Sequence, residues 1–160
     1  MHFPAYLLLS MLGLSFAQLQ SNYTSSSGVN IYNPDSFFNT TGPWSLMSQV
    51  GDYLYVAGMR GIYQENSTLA PTGLPRIRQA YQNMASLVEM MGADLYSCVR
   101  LVVYTTDMFR YRPMANKVQV ELWGNDASKY PPRTIVEVGR LNEDDILEVE
   151  GTFYLPQGKY

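Results

Sequence analysis

From Trp44 onward the chain alternates between short β-prone runs and helical stripes, and this pattern predicts its elements in order. Trp44 to Val50 and Tyr53 to Gly58 flank Gly51-Asp52, a dipeptide suited to a tight turn, so two hairpin strands are expected there. From Pro75 to Met91 the residues Ile77, Ala80, Tyr81, Met84, Leu87, Val88 and Met91 recur at three- and four-residue steps, which predicts an amphipathic helix. Pro75 suits its first turn and Gly92 a left-handed cap at its end. Cys98 to Thr106 is dense in Val, Leu and Tyr and reads as a buried central strand. Pro113 to Trp123, with Met114, Val118 and Leu122 on one face, predicts a second helix. Arg133 to Val138 and Ile146 to Tyr154 are two more strands, joined by the acidic loop Asn142-Glu143-Asp144-Asp145. The polar stretch from Tyr63 to Gly73, with Pro71, is a loop.

The resulting order is β-β-α-β-α-β-β, an α+β domain over 42–160 with two helices on one face of a mixed sheet. The opposite sheet face is then left open, and in an aromatic-rich chain this argues for burial against other subunits. Residues 18–41 are rich in Ser, Asn, Thr and Gly without periodicity, so an extended N-terminal arm is expected. Tyr32, Phe37 and Phe38 within it are costly to leave in water, so the arm can still pack on a neighbour.

Composition narrows the chemistry. The 13 Tyr favour surfaces that are part apolar and part hydrogen-bonding, as interfaces and small-molecule pockets are. A net charge of -3 without a basic run offers no footprint for nucleic acid. Cys98 is the only cysteine, so no intramolecular disulfide forms; it reads as a small buried apolar residue rather than a reactive thiol. His2 is the only histidine, which removes Ser-His-Asp and Cys-His nucleophile pairs and the usual His-containing zinc sites. Residues 1–17 form an apolar run ending in Ser15 and Ala17 and fit a secretory signal peptide, although only His2 stands in for the usual basic start. The rival readings are a membrane anchor or a buried strand, and the run is shorter than the ~20 residues a spanning helix needs. Sequons at Asn22, Asn39 and Asn66 agree with passage through a glycosylating compartment. The location expected is therefore secreted or secretory-pathway lumen, with no membrane embedding.

Two features stand out as candidate chemistry. Pro131-Pro132 impose an extended approach to Arg133, which is thus presented at the very start of a strand. A guanidinium held this way can clamp a planar carboxylate through two parallel hydrogen bonds, and it can equally form an ordinary structural ion pair. Glu148 and Glu150 share one face of the last strand. They either orient water or sit solvated at an edge.

The chain resembles the Rid (YjgF-type) family. The resemblance runs from about Gly42 to Tyr154 through Gly42-Pro43, Gly51-Asp52-Tyr53-Leu54-Tyr55-Val56-Ala57-Gly58, Arg78-Gln79-Ala80-Tyr81-Gln82-Asn83-Met84 and Gly92-Ala93-Asp94. It continues through Val103-Tyr104-Thr105-Thr106-Asp107-Met108 and Ala115-Asn116-Lys117-Val118. The most specific block is Pro132-Arg133-Thr134-Ile135-Val136-Glu137-Val138 with Glu148-Val149-Glu150. The resemblance implies a chorismate-mutase-like fold, a homotrimer with one pocket at each subunit interface, and hydrolysis of 2-enamine or 2-imine acids to 2-keto acids and ammonia. It assigns the substrate carboxylate to Arg133 and the attacking water to Glu148. Asn116 and Gly58 match pocket positions, the latter letting substrate approach the backbone. No cofactor and no metal are implied. The chain departs from the family at Trp44, where a pocket tyrosine is usual and where simple interface packing is an equal reading, and at Met59 and Arg60 after Gly58. The thiol often found two residues after the arginine is Ile135. With these changes, Trp44, Gly58, Met59, Asn116 and Arg133 are the expected substrate contacts. The alternatives to deamination are a pocket repurposed for a larger apolar acid or imine in secondary metabolism, and a non-catalytic secreted protein that binds a small molecule.

Overall fold

The apolar stripe on the long helix organises the core. In the computed structural model, which describes residues 19–156, helix α1 (Leu74–Met90) buries Ile77, Ala80, Tyr81, Met84, Leu87 and Val88 along that stripe. The expected signal segment over 1–17 lies outside the described residues. Pro75 occupies the first turn. The chain leaves the helix through Gly92, whose φ of 78° suits a residue without a Cβ and whose N–H donates to the Glu89 carbonyl at 2.9 Å.

Helix α2 (Met108–Trp123) starts earlier than Pro113 predicts. Asp107 is extended, and its side chain accepts the Arg110 N–H at 2.9 Å, which satisfies one of the helix's unpaired donors. Pro113 therefore lies inside the helix, on its exposed side, where the hydrogen bond it cannot make is replaceable by water.

Seven strands form one mixed sheet: β1 (Tyr23–Thr24), β2 (Asn30–Tyr32), β3 (Met47–Val50), β4 (Tyr53–Met59), β5 (Cys98–Thr105), β6 (Arg133–Glu137) and β7 (Leu147–Tyr154). Their spatial order is β1-β2-β3-β4-β7-β5-β6, with β5 and β6 parallel and every other pair antiparallel. The last two strands are thus not neighbours: β7 lies between β4 and β5, while β6 takes the edge.

The expected extended arm over 18–41 is corrected by this sheet. Its β1–β2 hairpin adds to β3, and Tyr32, Phe37 and Phe38 bury themselves in the chain's own core instead of on a neighbour. Strands of two and three residues are too short to show an alternation in sequence. What fixes them is tertiary: the Tyr32 hydroxyl donates to Gln49 Oε1 at 3.1 Å, and Asn33 Oδ1 accepts the Leu46 N–H at 2.9 Å.

Leu54, Val56, Leu101, Val103, Leu147, Val149 and Phe153 face the helices and are buried. On the other face Val50, Tyr53, Tyr55 and Tyr154 remain 41–44% exposed, so the open aromatic face expected from the pattern is present. Leu87→Ala should lower unfolding free energy by about 2–5 kcal/mol, read from urea denaturation, because the void lies between helix and sheet. Loss of the α2 cap in Asp107→Ala should cost about 0.5–2 kcal/mol in the same measurement.

Candidate functional site

The start of β6 is built as expected. Pro131 and Pro132 have no N–H to give, and the parallel ladder opens with the Leu101 N–H donating to the Pro132 carbonyl at 3.0 Å. Arg133 then pairs with Leu101, so its side chain leaves the sheet on the helix-covered side. There its two terminal nitrogens donate to Gln119 Oε1 at 2.8 Å and to Asn116 Oδ1 at 2.7 Å. Asn116 and Gln119 are three residues apart, hence on one face of α2. The Tyr81 hydroxyl approaches from α1; it is buried and makes no hydrogen bond among the described residues. Burial pushes its pKa up to about 12, although the Arg133 charge beside it acts in the opposite sense.

All these neighbours of Arg133 are neutral. No carboxylate stands within ion-pair distance of it among the described residues, and the pairs that do form involve Arg60, Arg76, Arg78, Lys129 and Arg140. The reading of Arg133 as an ordinary ion-pair partner is therefore not what the structure holds. The residues oriented around it include two that the sequence did not single out, Gln119 and Tyr81; the helical spacing from Asn116 is the signal that points to the first.

Glu148 belongs to a different place. It pairs with Tyr104 on β5, whereas Arg133 shares a face with Leu101, so the two side chains leave the sheet on opposite faces. One chain does not bring them together. Glu148 instead lies across β4 at Gly58, where an added Cβ would overlap its carboxyl group. A bulge between Val56 and Met59 makes this contact, since Val56 pairs with Gly151 and Met59 with Val149. The extra residue also reverses the parity of the strand. Met59 consequently turns into the core with 0% exposure, which corrects its expected place as a pocket residue.

Around Glu148 a cavity of about 310 Å³ is lined by Phe38, Trp44, Gly58, Arg60 and Ile62, with Asn39, Thr41, Ser67, Asn142 and Glu143 at its polar margin. Trp44 also borders a larger concavity of about 560 Å³ on the open sheet face, with Tyr55, Arg100, Val102 and Glu150. Arg60 is held rather than free: Nη1 donates to the Asn142 carbonyl at 2.8 Å and lies 3.3 Å from Glu143 and 3.7 Å from the buried Asp145. Asp145 also meets Arg76 at 3.3 Å and accepts the Ile146 N–H at 2.7 Å. This cluster fixes the loop that precedes β7 and so the origin of Glu148. Burial raises the Glu148 pKa above its ordinary 4.5, Arg60 opposes the rise, and Asp145 and Glu150 add to it.

The expected sugar acceptors lie among the described residues. Asn39 and Asn66 are exposed, and the Asn66 Oδ1 accepts from both the N–H and the hydroxyl of Thr68. Cys98 is buried, which pushes its thiol pKa up to about 12 and leaves it an unreactive core residue.

A mixed seven-stranded sheet with two helices on one face is the α+β architecture of Rid-type proteins. The model of the endoribonuclease L-PSP family matches residues 35–154, and the chain belongs to that family, the Rid (RidA/YjgF) proteins. A RutC family protein of Pyrococcus horikoshii is 30% identical over 71% of this chain and 87% of its own length. A Dermatophagoides farinae protein named 2-iminobutanoate/2-iminopropanoate deaminase is 31% identical over 68% of the chain and 83% of that protein. Among solved structures, a probable translation initiation inhibitor from Rhodopseudomonas palustris superposes with a TM-score of 0.75 at 37% identity, covering 81% of this chain and 99% of that one. RidA from an Antarctic Psychrobacter gives 0.71 at 26% identity, covering 78% and 98%.

The electrostatics give a stability test. A carboxyl whose pKa is raised by folding binds its proton more tightly in the folded state, so its contribution is full at low pH and is lost as pH rises through the folded value. Glu148→Gln should therefore match wild type in thermal stability below pH 4.5 and exceed it increasingly as pH rises toward neutrality. Gly58→Ala should shift the melting temperature little, because the atom displaced is the end of a flexible side chain, while it removes the Glu148 carboxyl from its present position.

Proposed function

We propose that this protein hydrolyses 2-imino acids and their enamine tautomers to 2-keto acids and ammonia. The observation that carries the reading is Arg133, a guanidinium oriented by two amide oxygens and left without a counter-carboxylate. A cation so oriented retains its charge for an anionic ligand and gives bidentate hydrogen bonds to a carboxylate. The deaminase relative and the family membership support the same class of reaction.

In this reading the substrate carboxylate lies on Arg133 and its imine carbon faces Glu148. Water adds to that carbon as the Glu148 carboxylate takes a proton from it. Glu148 returns that water proton to the nitrogen, the adduct's hydroxyl gives up its own proton to the nitrogen as the carbon–oxygen double bond forms, and the carbon–nitrogen bond breaks to release ammonia. A carboxyl with a raised pKa serves both steps, since it holds and releases a proton nearer neutrality than an ordinary glutamate. Arg133 and Glu148 occupy opposite sheet faces, so the site we propose takes the arginine of one copy and the glutamate of the next. The exposed Tyr53, Tyr55 and Tyr154 favour such packing, with three copies closing around their open faces. Asn116 positions Arg133, while Gly58 and Trp44 border the reacting end. We further propose a secreted protein glycosylated at Asn22, Asn39 and Asn66, from the apolar N-terminal run and the sequons.

Ammonia release from freshly generated 2-aminoacrylate tests the assignment. Arg133→Ala should lose about 10² or more in rate and Glu148→Gln about 10²–10⁴, with folding retained by circular dichroism. Equal rates in wild type and Arg133→Ala would sink the assignment. Light scattering after size exclusion should give three times the monomer mass, and a monomer would leave Arg133 and Glu148 unable to act together.

A further inference from the structure

We propose that the substrate carries an aromatic or comparably bulky apolar side chain, seated against Phe38, Trp44 and Ile62. This rests on the deaminase reading above and names its substrate class.

The cavity beside Glu148 has two kinds of wall. Its chemical end consists of Gly58, Glu148 and Arg60, and below the polar margin an apolar wall of Phe38, Trp44 and Ile62 comes from two separate segments. The first is the stretch before β3 that supplies Phe38 and Trp44, and the second is the turn after β4 that supplies Ile62. At about 310 Å³ the space is at the lower end of the ~300–1,000 Å³ typical of small-molecule sites. An acid ending in a methyl group would leave this wall unfilled.

The apolar wall is also rigid. Phe38 is 6% exposed and its ring lies against Phe37, with centroids 4.6 Å apart. Ile62 is 8% exposed, and its carbonyl accepts from the buried Asn83 side chain at 2.7 Å. Arg60 is anchored through the Asn142 carbonyl and the Asp145 cluster, so it does not swing into the space. Trp44, at 38% exposure, has no aromatic ring or cation stacked on its indole among the described residues. A preformed apolar surface of this kind binds a ring without ordering costs of its own. The reaction written for this class balances as R–C(=NH)–COO⁻ plus H₂O giving R–C(=O)–COO⁻ plus NH₃, with R the aromatic group.

The stable products serve as probes that need no turnover. Titration calorimetry of the intact protein with phenylpyruvate and with pyruvate should show phenylpyruvate binding at least about tenfold tighter. Trp44→Ala should erase most of that difference, and Phe38→Leu, which keeps the core filled, should reduce it. Arg133→Ala should abolish binding of both acids. Equal affinities, or tighter pyruvate, would overturn the aromatic assignment and leave the carboxylate site standing. No binding of either acid, or binding indifferent to Arg133→Ala, would overturn both. In turnover, kcat/KM for the imine of phenylalanine should exceed that for the imine of alanine in wild type, and the ratio should fall in Trp44→Ala.

Discussion

A positive charge held by neutral oxygens is the constraint on which the rest of the site depends. A guanidinium partly withdrawn from water normally finds a carboxylate, because leaving it uncompensated is costly. Here Arg133 finds Gln119 and Asn116, whose oxygens satisfy N–H groups without cancelling charge. Each part of the surrounding fold serves that arrangement. The diproline presents Arg133 at the start of the strand, the parallel pairing with β5 points the side chain toward the helices, and one face of α2 carries both amides to it.

The sheet separates this cation from the carboxylate that would complement it. Glu148 emerges on the other face and rests on the Gly58 bulge, so the two groups cannot meet within one chain. The same geometry leaves aromatic side chains exposed on the face that bears Glu148. An unsatisfied apolar face and a divided site are thus two aspects of one topology, and packing between copies answers both.

Arg60 lines the cavity beside Glu148 but is committed to other partners. Its guanidinium lies among Asn142, Glu143 and Asp145, and Asp145 in turn holds Arg76. The cluster ties the turn after β4 to the loop before β7, the two segments that meet at Glu148. It also sets a positive charge against the burial that raises the Glu148 pKa. A residue that reads in sequence as a change of pocket chemistry acts here as a brace with an electrostatic consequence.

Helix α1, the β3–β4 hairpin, the central strand and the presentation of Arg133 were legible in the sequence, because each depends on local periodicity or on proline and glycine stereochemistry. The single apolar side of each element made the two-helix mixed sheet legible as well. Other features follow from contacts between distant residues and have no local signature. The β1–β2 strands exist only because β3 offers an edge, and α2 extends past Pro113 because Asp107 caps it. One bulge residue, which no alternation pattern reveals, sends Met59 into the core and aims Gly58 at Glu148. The sequence by itself determined which residues could bear charge and where α1, the β3–β4 hairpin, β5, β6 and β7 run. Tertiary structure alone decided that Arg133 is surrounded by neutral oxygens and that Glu148 lies across the sheet from it, since both depend on which faces of remote segments are brought together.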